Sequence, residues 1–129
     1  RPCPGCLCRS SRRLPPGGFY ENTTDVPIPD LGTANSPLAV TEAGNAPNDL
    51  SVHVEIRHTW RGDLVINLIA PDGTSYRLKN SNAGDSADNV IATYTVNATA
   101  ELSAGTWTLR VRDVYRYDTG FIDKWSLQF

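Results

Sequence analysis

Between Ser51 and His58 apolar and polar residues alternate without a break. Val52, Val54, Ile56 and His58 point one way, and Ser51, His53, Glu55 and Arg57 the other. A period of two is that of a half-buried β-strand. The alternation returns in Asp63–Ile69, with Leu64, Ile66 and Leu68 inward, and in Thr106–Asp113, with Trp107, Leu109 and Val111 inward. Phe121–Phe129 repeats it with Trp125, Leu127 and Phe129 inward. Shorter runs at Val26–Ile28, Leu38–Thr41, Thr74–Lys79 and Val90–Val96 complete the set. Turn clusters part them, among them Gly44–Asp49 and Pro71-Asp72-Gly73-Thr74, where Gly73 is free to take positive φ. No window keeps a helical period. About eight antiparallel strands at this spacing predict an all-β sandwich, a jelly roll.

Composition adds little to this and charge adds more. The 129 residues are 40% hydrophobic and 20% charged, ordinary values for one soluble domain. No apolar run approaches the roughly 20 residues of a membrane helix. Nothing at the start reads as a signal peptide, so an export signal is expected to have been removed or to lie elsewhere in a longer chain. Residues 1–18 are rich in Pro, Gly, Ser and Arg and hold all three cysteines, Cys3, Cys6 and Cys8. Cys-Pro-Gly-Cys spacing is that of a redox or metal pair, but neither a strand–helix frame nor a fourth ligand accompanies it. The segment reads as a disordered linker or an appended tail, with the folded domain at 19–129.

That segment carries four of the twelve basic residues and no acid, which leaves eight against fourteen in the domain, a balance of −6. So acidic a body is a poor match for nucleic acid and suits a cation. If successive strands each cross the sandwich once, alternate loops share an end. The loops at 29–37, 59–62, 80–89 and 114–120 then gather Asp30, Asp63, Asp85, Asp88, Asp113 and Asp118 at one pole, with Asp123 nearby. The opposite pole receives Asp49, Asp72 and Glu101. Calcium takes six to eight oxygen ligands from carboxylates and loop carbonyls. The expected ligands are Asp30, Asp63, Asp113 and Asp118, with Asp123 in reserve; the competing account is that Asp favours turns for its own backbone hydrogen bonds.

Catalysis finds no support. His53 and His58 are the available bases, and no nucleophile motif accompanies either. Zinc is disfavoured because the two histidines face opposite sides of their strand. Arg61-Gly62-Asp63 spells an integrin-binding tripeptide, yet its place between Trp60 and Leu64 makes it a structural turn. Asn22-Thr23-Thr24 and Asn97-Ala98-Thr99 are glycosylation sequons, usable in a host with that machinery. Parity turns Val65, Ile69 and Ile122 outward, and these three form a candidate partner-docking patch.

The residues Ile28-Pro29-Asp30, His58-Thr59-Trp60-Arg61-Gly62-Asp63-Leu64, Pro71-Asp72-Gly73-Thr74, Gly105-Thr106-Trp107-Thr108-Leu109, Asp113, Asp118-Thr119-Gly120 and Trp125-Ser126-Leu127 stand in the order of the P domain. On these residues the chain, from about Phe19 to Phe129, resembles that family, the P or Homo B domain of proprotein convertases. The resemblance implies a galactose-binding-like jelly roll placed C-terminal to the catalytic domain of a secreted protease, subtilisin-like or thermolysin-like. It implies a non-catalytic role in that neighbour's folding, stability and calcium response, in a monomer with no nucleic-acid or membrane partner. The loop at 80–89 and the approach to Trp107 lack the longer aromatic-rich insert of eukaryotic members, which points to a bacterial parent. The rival reading is a carbohydrate-binding module, its platform drawn from Trp60, Tyr115, Tyr117 and Phe121.

Overall fold

The computed structural model describes residues 17–129. Nine strands follow in order: β1 (Phe19–Asn22), β2 (Val26–Ile28), β3 (Thr33–Val40), β4 (Leu50–His58), β5 (Leu64–Ile69), β6 (Ser75–Lys79), β7 (Val90–Val96), β8 (Gly105–Asp113) and β9 (Gly120–Gln128). They form two antiparallel sheets. One has the order β1-β9-β4-β7, with β2 sharing the β9 edge; the other has the order β3-β8-β5-β6. Except for the β1–β2 step along the β9 edge and the β5–β6 hairpin, consecutive strands lie in opposite sheets. This is the jelly roll that the alternation predicts. β1 adds a short strand beyond the eight, and β3 begins at Thr33 rather than Leu38. Pro37 is tolerated inside β3 because that strand is a sheet edge.

The inward rows make the core. Val52, Val54, Ile56, Leu64, Ile66, Leu68, Trp107, Leu109, Val111, Trp125 and Leu127 are fully buried. Both indoles keep their N–H satisfied, Trp125 Nε1 on Ser36 Oγ at 2.9 Å and Trp107 Nε1 on the Ser103 carbonyl at 2.8 Å. Phe129 is half-buried and packs edge-on against Trp107 and Tyr20. The segment expected as a linker reaches the folded body at its last two residues. Phe129 N–H donates to the Gly18 carbonyl, and Gln128 Nε2 to that of Gly17. The three cysteines lie outside the described residues.

The expected docking patch does not form. Ile122 is 0% exposed and belongs to the core, because the β4–β9 ladder pairs Glu55 with Lys124 and then Ile56 with Ile122. Asp123 is the extra residue of a β-bulge, and an extra residue reverses the parity of everything before it. Ile122 and Trp125 therefore both face inward. Val65 does lie on the outer face of its sheet yet is only 8% exposed. It sits in an interior strand opposite Arg112, and Lys79 reaches back beside it to the Leu64 carbonyl. Ile69 is half-buried.

The strand crossings place the loops as parity requires. Loops 29–32, 59–63, 80–89 and 114–119 meet at one pole, and those at 41–49, 70–74 and 97–104 at the other. Phe19 pairs with Gln128, so both ends of the described chain leave from the second pole.

Candidate functional site

At the first pole the turn after β4 is a single 3-10 turn, Arg61–Asp63, strapped by the loop 80–89. Arg61 N–H donates to Ala87 O, Gly62 N–H to Asp85 O, and Asn82 N–H to Gly62 O, at 2.7–3.0 Å. Gly62 is required here. A Cβ on it would lie 1.9 Å from the Asn82 oxygen and 2.6 Å from that of Asp85. Lys79 adds a fixed cation beneath the turn, its Nζ donating to the carbonyls of Arg61, Leu64 and Asn80. Arg61 pairs with Asp85 at 2.9 Å, and Asp63 is buried, so the tripeptide is a structural turn.

Three side chains converge behind it. His58, Asp63 and Asp113, 2–3% exposed, bring ligand-type atoms within 4.8 Å of one another. The histidine's hydrogen bonds assign its state. Nδ1 accepts the Trp60 N–H at 3.0 Å, so the proton lies on Nε2 and is donated to Asp113 Oδ2, also at 3.0 Å. Neither ring nitrogen has a lone pair left for a metal. His58 is thus an orienting group for Asp113, whose Oδ1 accepts the Tyr115 N–H.

Asp63 is different. Its Oδ2 is buried and has no hydrogen-bond partner among the described residues. Burial and, next, the Asp113 charge raise its pKa above the ordinary 3.8; His58 opposes them less strongly, and Asp118 and Asp30 add smaller pushes upward. An unpaired buried carboxylate oxygen among like charges costs free energy unless a proton or a cation meets it. Asp118 lines the cleft over Asp63 and accepts the Thr59 hydroxyl at 2.8 Å. Asp30 accepts the Tyr117 N–H at 3.0 Å. The donors are all oxygens, which suits a hard cation and not zinc.

The sequence-derived ligands thus divide. Asp63 and Asp113 are in contact range, Asp30 and Asp118 act on Asp63 from the flanking loops, and Asp123 is elsewhere. The bulge turns Asp123 onto the outer sheet face, where it pairs with Arg57 at 3.3 Å. His58, read from the sequence as an inward residue at the end of its strand, is the partner of Asp113.

The cleft over Asp63 has a volume of about 330 Å³ and is walled by Trp60, Tyr115, Tyr117, Arg116 and Asp118. Phe121 lies outside it. All three non-glycine residues with positive φ among those described, Leu31 (57°), Asn89 (66°) and Tyr117 (95°), lie in the loops of this pole. Such conformations cost about 1–3 kcal/mol each and persist where the surroundings impose them.

Fold and site together define a jelly-roll module with a buried acidic centre at one pole. The chain belongs to the proprotein convertase P-domain family, whose model matches residues 47–129. It is 56% identical over 114 residues, 88% of its length, to a transglutaminase-activating metalloprotease of Streptomyces mobaraensis. It is 34% identical over 122 residues, again 88% of its length, to a calcium-dependent protease of a Nostoc species. The chain spans 15% and 18% of these two proteins, so the matching regions are domains within larger protease chains. Among solved structures it is similar to the serine protease of Aeromonas sobria, with a TM-score of 0.72, 19% identity and coverage of 92% of this chain and 28% of that one. The structural likeness shows the shared sandwich.

Proposed function

We propose that this chain is a non-catalytic accessory domain of a secreted bacterial protease, stabilising the catalytic part, and that calcium supports it by binding at the Asp63 pole. One observation carries the calcium reading: the buried Asp63 Oδ2 without a donor, in a pole where Asp30, Asp113 and Asp118 add negative charge. Asp63 and Asp113 would hold the ion from below, with Asp30 and Asp118 supplying oxygens from the loops. His58 would keep Asp113 oriented, and Lys79 and the 80–89 strap would keep the turn in shape. The bound ion would meet the Asp63 oxygen to which no described residue brings a hydrogen. The name of the Nostoc relative, a calcium-dependent protease, favours the same reading.

Thermal melting of the chain in millimolar calcium and in chelator tests it. At a hundred times the dissociation constant one bound ion adds about 2.7 kcal/mol, and Asp63→Asn should remove that gain. Equal midpoints in calcium and chelator would eliminate the site. A second reading, sugar binding, is favoured by one observation: the outward-facing Trp60, Tyr115 and Tyr117 around the cleft. A glycan array separates the two.

A further inference from the structure

The outer face of the β3-β8-β5-β6 sheet carries no Asp or Glu at its outward strand positions, in a domain whose balance is −6. In the ladders Arg77 stands opposite Asn67, Asn67 opposite Arg110, and Arg110 opposite Asn35. This makes one row across all four strands, alternating Arg and Asn. Each arginine is pinned by an asparagine in it: Arg77 Nε donates to Asn67 Oδ1 at 2.8 Å, and Arg110 Nε to Asn35 Oδ1 at 3.0 Å. Arg77 Nη1 is held further by Asn80 Oδ1 at 2.7 Å. Arg112, also exposed, follows two residues along β8.

Neither arginine of the row, nor Arg112, is in an ion pair among the described residues. Residues 1–18 hold no acid that could provide one. The opposite sheet is the contrast, for there Arg57, Lys124 and His53 all meet Glu55 or Asp123. An amide on Nε holds a guanidinium across the sheet and leaves Nη donors for a planar anion, with part of the ordering cost already met.

We propose that this row is a docking surface for a carboxylate-rich patch on a folded protein. Charge complementarity selects the carboxylate partner. The extent of the face selects a compact one, since the pole at one end of its strands gathers Asp30, Asp63, Asp85, Asp113 and Asp118 and would repel a polyanion that ran on past the sheet.

The test is a titration of the 129-residue chain with an oligoglutamate peptide, following arginine Nε–Hε resonances. Saturable shifts at Arg77 and Arg110 are expected. They should weaken sharply as the Debye length is cut from about 30 Å to about 8 Å by raising the salt from 0.01 M to 0.15 M. The pair Arg77→Gln and Arg110→Gln should abolish the saturable shift that the peptide causes at the neighbouring Arg112, with an unchanged melting point. Asn35→Ala with Asn67→Ala keeps every charge and frees the guanidiniums, and should weaken binding by about fivefold or more. Three results overturn the proposal: no saturable shift, asparagine variants that bind as well as the parent, or tighter binding of a heparin oligosaccharide, which would make the face a sulfate site.

Discussion

The two poles of this sandwich each bury a carboxylate, and they satisfy it by different means. At the pole where the chain ends leave, Glu101 is 3% exposed and its Oε2 accepts the Tyr76 hydroxyl. Its backbone is equally engaged, with Glu101 N–H on Ala98 O and Ala46 N–H on Glu101 O, both at 2.9 Å. At the other pole Asp63 is also 3% exposed and keeps an oxygen with no donor. Burial alone therefore does not mark a site. What separates the two carboxylates is whether the described residues bring the hydrogen: Tyr76 brings it to Glu101, and none brings it to Asp63 Oδ2. The positive-φ residues Leu31, Asn89 and Tyr117 gather at the same pole.

The largest effect should come from removing the donor that the Asp63 pole does have. His58→Ala would leave the buried Asp113 Oδ2 without its Nε2–H donor, and a buried charged acceptor left unsatisfied costs about 3 kcal/mol. Urea unfolding in chelator measures it, and calcium should recover part of the loss by serving the freed oxygen. A cost well under 1 kcal/mol would mean that Asp113 finds water readily and that the pole is wetter than its burial implies.

The opposite pole should respond less and show its chemistry in pH. The Glu101 hydrogen bond, chiefly, raises the Tyr76 pKa from 10.0 to about 12. A phenol raised in the folded state holds its proton longer than in the unfolded one. Its stabilisation is full below pH 10 and is lost as pH rises towards 12. Glu101→Gln exchanges a charge-assisted bond for a neutral one, a loss of about 1 kcal/mol, and returns Tyr76 towards 10. Phenolate absorbance follows this directly. Calcium should leave that titration unchanged, and a calcium-dependent Tyr76 would erase the distinction between the poles.

Much of this was legible in the sequence, and the failures in β9 have one cause. Uniform alternation placed the inward rows of β4, β5 and β8, and parity alone carried four loops to one pole. Both depend on a strict period of two. In β9 the period breaks at Asp123, and every reading that crossed it went wrong: Ile122 turned inward and Asp123 left the acidic pole. The signal was present, since strict alternation from Trp125 back places the charged Asp123 in the core, a contradiction that a bulge resolves. Val65 misled for another reason. Parity gives a residue's direction, while its exposure depends on what neighbouring strands lay over it. The His58–Asp113 bond joins residues 55 apart in sequence, and no local pattern encodes it.

The smallest expected effect is the sharpest check on that correction. Asp123 was an acid close in sequence to Asp118, and its carboxylate now lies on the outer sheet face against Arg57, with both side chains partly solvated. Exposed pairs of this kind contribute about 0–1 kcal/mol. Asp123→Asn should therefore shift the melting midpoint little, and the rise produced by calcium should equal that of the parent chain. Asp118→Asn serves as its counterpart, since Asp118 lines the cleft over Asp63 and should lose part of the calcium response. Melting both variants with and without the ion sets the outer face against the pole in a single measurement. If Asp123→Asn abolished the response while Asp118→Asn kept it, the bulge would be misplaced and the acidic centre would have to be rebuilt around β9.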